Sequence, residues 1–322
     1  MTTRGRNLLV LFAVALLAGL GLFLFRPSLH ARAPADAVPD GAFLLATIDL
    51  ERVRASPIAS DIAALRDVSE ISDMCGFDPL ARVSSVAIGI PEKPDGVFGV
   101  ALATHDLPED ELTQCAQRVM SARSALARVV RRGSWIEIEQ QGVIAEATRA
   151  KIAYRSGSPL LVARGDYLQV MQAALDGETG RADTCEAHAR LRKAALERSK
   201  GEAFLVVTAV LPKSVRERIK EELEPGKATM AAVLAVSAAA LSATVHGDDI
   251  DLFAELSCET EEACNELRDL AERKTKGLPL ALRIEAHGKV LDATLATSEV
   301  QLVRAIRQWW SPPARPTADG QP

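Results

Sequence analysis

Aromatic side chains are scarce in this chain of 322 residues: three Trp, two Tyr and eight Phe make up 4% of it. Single-stranded nucleic acid is held largely by stacking on aromatic faces, so a nucleic-acid partner is not expected. No Cys-x2-Cys pair occurs and the five histidines, His30, His105, His188, His246 and His287, are scattered, so a structural zinc site lacks its ligands. Cys185-x2-His188 has helical i,i+3 spacing, but two ligands do not close a site. Missing too are Gly-x-Ser-x-Gly, His-Glu-x-x-His, a Walker loop and a dinucleotide fingerprint. No catalytic residue, cofactor or metal is therefore assigned. Lysine is also rare beside arginine, which together with abundant alanine suggests a GC-rich bacterial genome.

Only one long apolar run is present, which excludes a polytopic membrane protein. Leu8 to Phe25 are eighteen residues without a polar side chain, a length that reaches roughly 27 Å as a helix and nearly spans a bilayer. A cleaved signal peptide has a shorter apolar region, about 7 to 15 residues, followed closely by a small-x-small site. Here Ala31-Arg32-Ala33 precedes Pro34, and Ala35-Asp36-Ala37 lies far from the run. Residues 8–25 therefore read as a transmembrane signal anchor, with cleavage as the alternative. Arg4 and Arg6 keep residues 1–7 cytoplasmic by the positive-inside rule. The expected location is the inner membrane, single-pass, with the C-terminal part in the periplasm or outside the cell. Setting aside Arg4, Arg6 and Arg26 leaves 35 basic against 43 acidic residues. A net negative body does not seek anionic lipid, so the membrane is met through the N-terminal helix alone.

Residues 26–41 (RPSLHARAPADAVPDG) are rich in turn-formers and read as a flexible tether, and residues 311–322 as a disordered tail. Between them two halves resemble one another. GAFLLATIDL (41–50) and EAFLVVTAVL (202–211) share the frame Ala-Phe-Leu-x-x-Thr and read as buried strands. Each is followed by a strand, a turn, a strand and a helix opened by acidic residues. LLVARGDYLQVMQAAL from Leu160 then matches ATLATSEVQLVRAIRQ from Ala293, with Asp166 and Ser298 as N-caps. Three matched blocks in one order point to duplication. Gly turns at His246-Gly247-Asp248 and His287-Gly288-Lys289 imply antiparallel pairing. The expected class is α+β: two related lobes, 42–178 and 179–310, of mainly antiparallel sheet covered by helices, with the break in DGETGRADT (176–184).

With VPDGAFLLATIDL and CGFDPLARVSSVAIGIP in its first half, the chain resembles a group of membrane-anchored exported proteins of myxobacteria and related GC-rich bacteria. The resemblance covers most of residues 8–310 and implies an envelope location and a similar fold. It carries no catalytic residue.

Five cysteines in an exported body allow two bridges and one free thiol, in fifteen arrangements. Cys258 ends a strand and Cys264 lies in the first turns of the next helix, close enough to join. Cys75 with Cys115 would close a loop of about forty residues, leaving Cys185 free. Glu137 and Glu139 in WIEIEQ project from one strand face, read as solvated, while Ile136 and Ile138 face the core. Asp248, Asp249 and Asp251 lack calcium-loop spacing and read as a polar hairpin turn. Arg164-Gly165-Asp166 reads as a turn before a helix, and Trp309 and Trp310 as apolar area packed on the body. The functional expectation is a membrane-anchored, extracytoplasmic binding or scaffolding protein of the envelope, non-enzymatic, with an unknown envelope protein or ligand as partner. The alternative is an exported hydrolase with its site between the two lobes.

Overall fold

The computed structural model describes residues 32–301, apart from 57–58, 60–65, 79, 93–96, 123–125, 142–148, 223–228, 248, 276–280 and 299. The apolar run 8–25, Asp248, Trp309, Trp310 and the tail lie outside the described residues. Among the described residues no helix is long and apolar enough to cross a membrane.

The chain is α+β, and its strands form one twelve-stranded sheet in which every described pair is antiparallel. The first half contributes β1 (Ala42–Asp49), β2 (Val83–Pro91), β3 (Gly99–Thr104), β4 (Leu126–Arg132), β5 (Trp135–Gln141), β6 (Ala150–Tyr154) and β7 (Leu160–Arg164). The second contributes β8 (Leu205–Val210), β9 (Val236–His246), β10 (Asp249–Cys258), β11 (Ala281–His287) and β12 (Val290–Ser298). Their spatial order is β11-β12-β10-β9-β8-β1-β2-β3-β7-β6-β5-β4. Outward from the middle, β1, β2, β3, β7, β6 in one direction match β8, β9, β10, β12, β11 in the other. The β5–β4 hairpin is extra to the first half.

Two related lobes were expected; β1 pairs with β8, so the halves share one continuous sheet. The pairing is centred on the common frame. Ala46 and Val207 hold the same place in Ala-Phe-Leu-x-x-Thr, and they are also register partners. A local two-fold axis therefore passes between them, normal to the sheet.

Helices cover both faces. On the back, α3 (Glu109–Ala122) packs Ala116 and Met120 on Ile138, and α8 (Glu261–Thr275) packs Ala263 and Leu267 on Val236 and Leu291. On the front, α4 (Tyr167–Asp176) seats Leu168, Met171 and Leu175 on Ala101, Leu161 and Ala163 of the first half. The front face of the middle is covered by α5 (Glu186–Arg198), through Leu191 and Ala195 on Val206 and Ala240.

The tether was expected to run to residue 41, but a 3-10 turn at Pro34–Ala37 belongs to the body, with Ala37 and Val38 fully buried. Its side chains are small enough to lie flat on the sheet, where Gly89 leaves room: a Cβ there would meet Val38 Cγ1 at 2.7 Å. The expected break near 176–184 is likewise docked rather than free. Asp40 N–H donates to Gly180 O and Ala182 N–H to Val38 O, while Arg181 pairs with Asp36 at 2.8 Å.

Two disulfides join Cys75 to Cys115 and Cys258 to Cys264, tying α3 and α8 to the segments before them, and Cys185 is free. Asp166 takes the N-cap position of α4 without a capping hydrogen bond; its carboxylate instead lies 3.8 Å from Lys151. Glu137 is the clearest departure from expectation. It is 2% exposed, because α4 covers the face that alternation alone assigns to solvent. Gln172 Nε2 of α4 donates to Glu137 Oε1, and Arg132 Nε lies 3.0 Å from Oε2, off the hydrogen-bonding direction. Glu139, on the same face but nearer the edge, pairs with Arg132 and is only part-buried.

Candidate functional site

The sheet register defines cross-strand rows on the front face, and the same row can be followed in each half. In the first half one row runs Leu45, Gly89, Gly99, Ala163, Lys151, and the next Thr47, Ala87, Ala101, Leu161, Ala153. Glycine and alanine pave the middle, so a helix can settle onto it. At Gly99 an added Cβ would meet Met171 Sδ of α4 and the Tyr167 ring at 2.8 Å. Tyr167 is buried with its hydroxyl unpartnered, and burial pushes its ionisation up.

The matching rows of the second half run Val206, Ser242, Phe253, Thr294, Arg283 and Thr208, Ala240, Glu255, Asp292, Glu285. Hydroxyls, charges and one ring replace the glycines. Beyond the end of α5, over β9, β10, β12 and β11, lies an open groove of about 580 Å³. Its floor includes Ser242, Thr244, Phe253, Asp251 and Thr294, and its rim Arg198, Lys200, Glu202, His246 and Arg283.

Most charges in the groove are already answered. Arg198 donates to Asp292 at 2.9 Å and lies over the Phe253 ring at 4.8 Å. Arg283 pairs with Glu285 at 2.5 Å, and its hydrogen bond and charge hold that carboxyl below the usual range. His246 sits between Glu202, 4.0 Å from Nδ1, and Asp251, 3.8 Å from Nε2. Ser242 and Thr244 are only 2% and 6% exposed, yet their hydroxyls make no hydrogen bond among the described residues. Both line the open groove, so their hydroxyls are left to water or to a ligand.

Where the halves meet, helix α5 forms a fastening. His188 of α5 is 1% exposed. Its Nε2–H donates to Ala42 O at 3.0 Å, which fixes the tautomer, so Nδ1 accepts from the Thr208 hydroxyl at 2.7 Å. Burial holds the imidazole below its ordinary pKa despite the carbonyl. One helical turn later Arg192 donates to the Thr47 hydroxyl at 2.8 Å. Thr47 and Thr208 are the threonines of the two copies of the frame. Helix α5 thus holds both copies: His188 bridges Ala42 of the first and Thr208 of the second, and Arg192 adds Thr47 of the first. Sequence reading missed this role, although the i,i+4 spacing beside buried Leu191 and Ala195 was a usable signal.

Beside α5, a smaller cavity of about 270 Å³ is lined by Thr47, Asp49, Arg52, Arg192 and apolar side chains. Asp49 there caps α1 (Leu50–Arg54) through Glu51 N–H and Arg52 N–H. It also pairs with Arg52, so no spare base remains. Cys185 stands at the N-cap of α5, with no metal-binding cluster among the described residues. His105 follows β3 and His287 ends β11, as a reading of solvated strand ends expects, and neither lines these cavities. Gly165 of the Arg-Gly-Asp tripeptide has φ 57°, a turn conformation.

The fold and the groove define an antiparallel sheet protein with helices on both faces and a polar recess on one half. No protein-family model matches the chain, and no curated protein matches it in sequence. Solved structures of TP0453 do match in fold: crystal form III with a TM-score of 0.55 at 12% identity, covering 86% of this chain and 98% of that one. Crystal form I gives 0.54 at 12% identity over 87% and 98%. At this identity the likeness establishes the fold alone.

Proposed function

We propose that the protein is a membrane-anchored, extracytoplasmic binding module that uses the front-face groove of its second half to hold a partner or ligand. The observation that carries this reading is the contrast between equivalent rows. One is paved with glycine and alanine under a helix; the other is open and lined with hydroxyls and charged groups. Ligand sites are concave, of about 300–1,000 Å³, with a few placed polar groups, and the groove has those attributes. The apolar run at 8–25 supports anchoring, and the two disulfides suit an oxidising compartment. A photo-crosslinking side chain at Ala296, in the groove, should form a specific adduct in growing cells. The same group at Val170, on the outer side of α4, should form none. Equal or absent adducts at both positions overturn the reading.

A second reading, an exported hydrolase, draws on His246 between Glu202 and Asp251. All three side chains are more than half exposed, and their separations exceed hydrogen-bond reach. The binding reading therefore stands first. Turnover of an ester, peptide, glycoside or phosphate substrate that disappears in His246→Gln, with folding intact, would reverse the order.

A further inference from the structure

We infer that the ligand of this groove is a neutral oligosaccharide, an inference that rests on the binding reading above and goes beyond it. The charges decide first. Arg198 and Arg283 each have a carboxylate in contact, His246 lies between two, and of the groove's cations only Lys200 has no ion pair with a described residue. An anionic ligand such as a phosphate or a nucleic-acid strand would have to displace Asp292 or Glu285 from its arginine. The groove is not built for net negative charge. An acyl chain is excluded by the floor, where Ser242, Thr244 and Thr294 would lose water without gaining a partner.

A saccharide answers the same features directly. Its hydroxyls both donate and accept, so they can satisfy Ser242 and Thr244, whose own hydroxyls do both. Vicinal hydroxyl pairs match the planar carboxylate of Asp251, on the row beside that of Ser242 and Phe253. The apolar face of a pyranose needs a flat surface, and the Arg198 guanidinium stacked on Phe253 supplies one. The volume, about 580 Å³, is that of an oligosaccharide segment and not of a single sugar.

The test uses the full chain in detergent and a panel of neutral trisaccharides built from glucose, galactose, mannose or N-acetylglucosamine. The readout is methyl NMR at Thr244, Thr294 and Ala296, with the dissociation constant from the titration. At least one trisaccharide should shift these three methyls while leaving those of Ala101 and Ala163 in place. The double variant Thr244→Val, Thr294→Val keeps the shape and removes two hydroxyls. It should bind at least tenfold more weakly with an unchanged denaturation midpoint. If no trisaccharide shifts the groove methyls at millimolar concentration, or if the double variant binds as the parent does, the inference is wrong. A protein adduct at Ala296 alongside such a failure would retain the binding reading and discard the saccharide; loss of both would discard both.

Discussion

The two halves of the sheet follow the same path from a shared central frame, yet one front face is sealed and the other is open. The difference lies in a few positions of equivalent register. Gly89 and Gly99 present backbone and Ala163 only a methyl, and Val38, Tyr167 and Met171 fill the space over the two glycines. Ser242, Phe253 and Thr294 stand at the same places in the second half, where a descending helix would bury hydroxyls it could not satisfy. Two halves of one sheet thus differ in what they provide: one supplies core, the other a recess. The junction belongs to neither, because α5 fastens the two frame threonines.

The back face offers the strongest contrast. Each half ties its back-face helix with a disulfide, but the chain separations are 40 and 6 residues. Replacing Cys75 and Cys115 together by alanine should cost about 4 kcal/mol, and replacing Cys258 and Cys264 about 2 kcal/mol, in the loop-entropy account. Urea unfolding of the two double variants measures this. Equal costs would show that loop length does not govern the difference.

At the junction, His188→Ala strands the Ala42 carbonyl and the Thr208 hydroxyl, and should cost about 3 kcal/mol. The pH dependence has a definite sign. The folded pKa lies below that of the unfolded chain, about 6.5, so the unfolded state binds the extra proton. The stabilisation is complete above about pH 6.5 and is lost as pH falls below it, by up to about 1.4 kcal/mol per unit. Unfolding free energies at several pH values should therefore fall more steeply in the parent than in His188→Ala. Parallel curves would remove His188 from the fastening.

The sealed face is tested by Gly99→Val, which drives a side chain into Met171 and Tyr167 and should cost about 2 kcal/mol. On the open face, Thr294→Val at the row position matching Ala163 should change stability by less than about 0.5 kcal/mol. Thermal or urea denaturation of both variants checks the pair, and a similar loss in each would mean that the groove is part of the core.

Much of the fold was legible locally. Runs such as ATIDL and AFLVVTAV announce buried strands, acidic openings mark α3 and α8, and Gly247 and Gly288, at φ 64° and 61°, make the hairpin turns expected of them. Antiparallel pairing followed from these signals. What was not legible is what depends on placement across the sheet. Alternation showed that Glu137 and Ile138 face opposite ways, but α4 buries the first and α3 the second. Pro34 to Val38 has a tether's composition, and its burial depends on Gly89, some fifty residues on. One sheet rather than two lobes depends on the β1–β8 pairing, which no local pattern encodes. The groove was invisible for the same reason, since its residues come from the end of α5 and four strands and gather only through register.

Cysteine labelling at two equivalent positions tests the contrast between the halves most directly. In a Cys185→Ser background, Ala163→Cys places a thiol under α4 and Thr294→Cys places one in the groove. The rate of maleimide modification of the folded, unreduced protein is measured for each. Cys at 294 should react at nearly the rate of an exposed thiol, and Cys at 163 at least about a hundredfold more slowly, because α4 must first open. Equal protection of the two thiols would show that the second face is sealed like the first and would contradict the account.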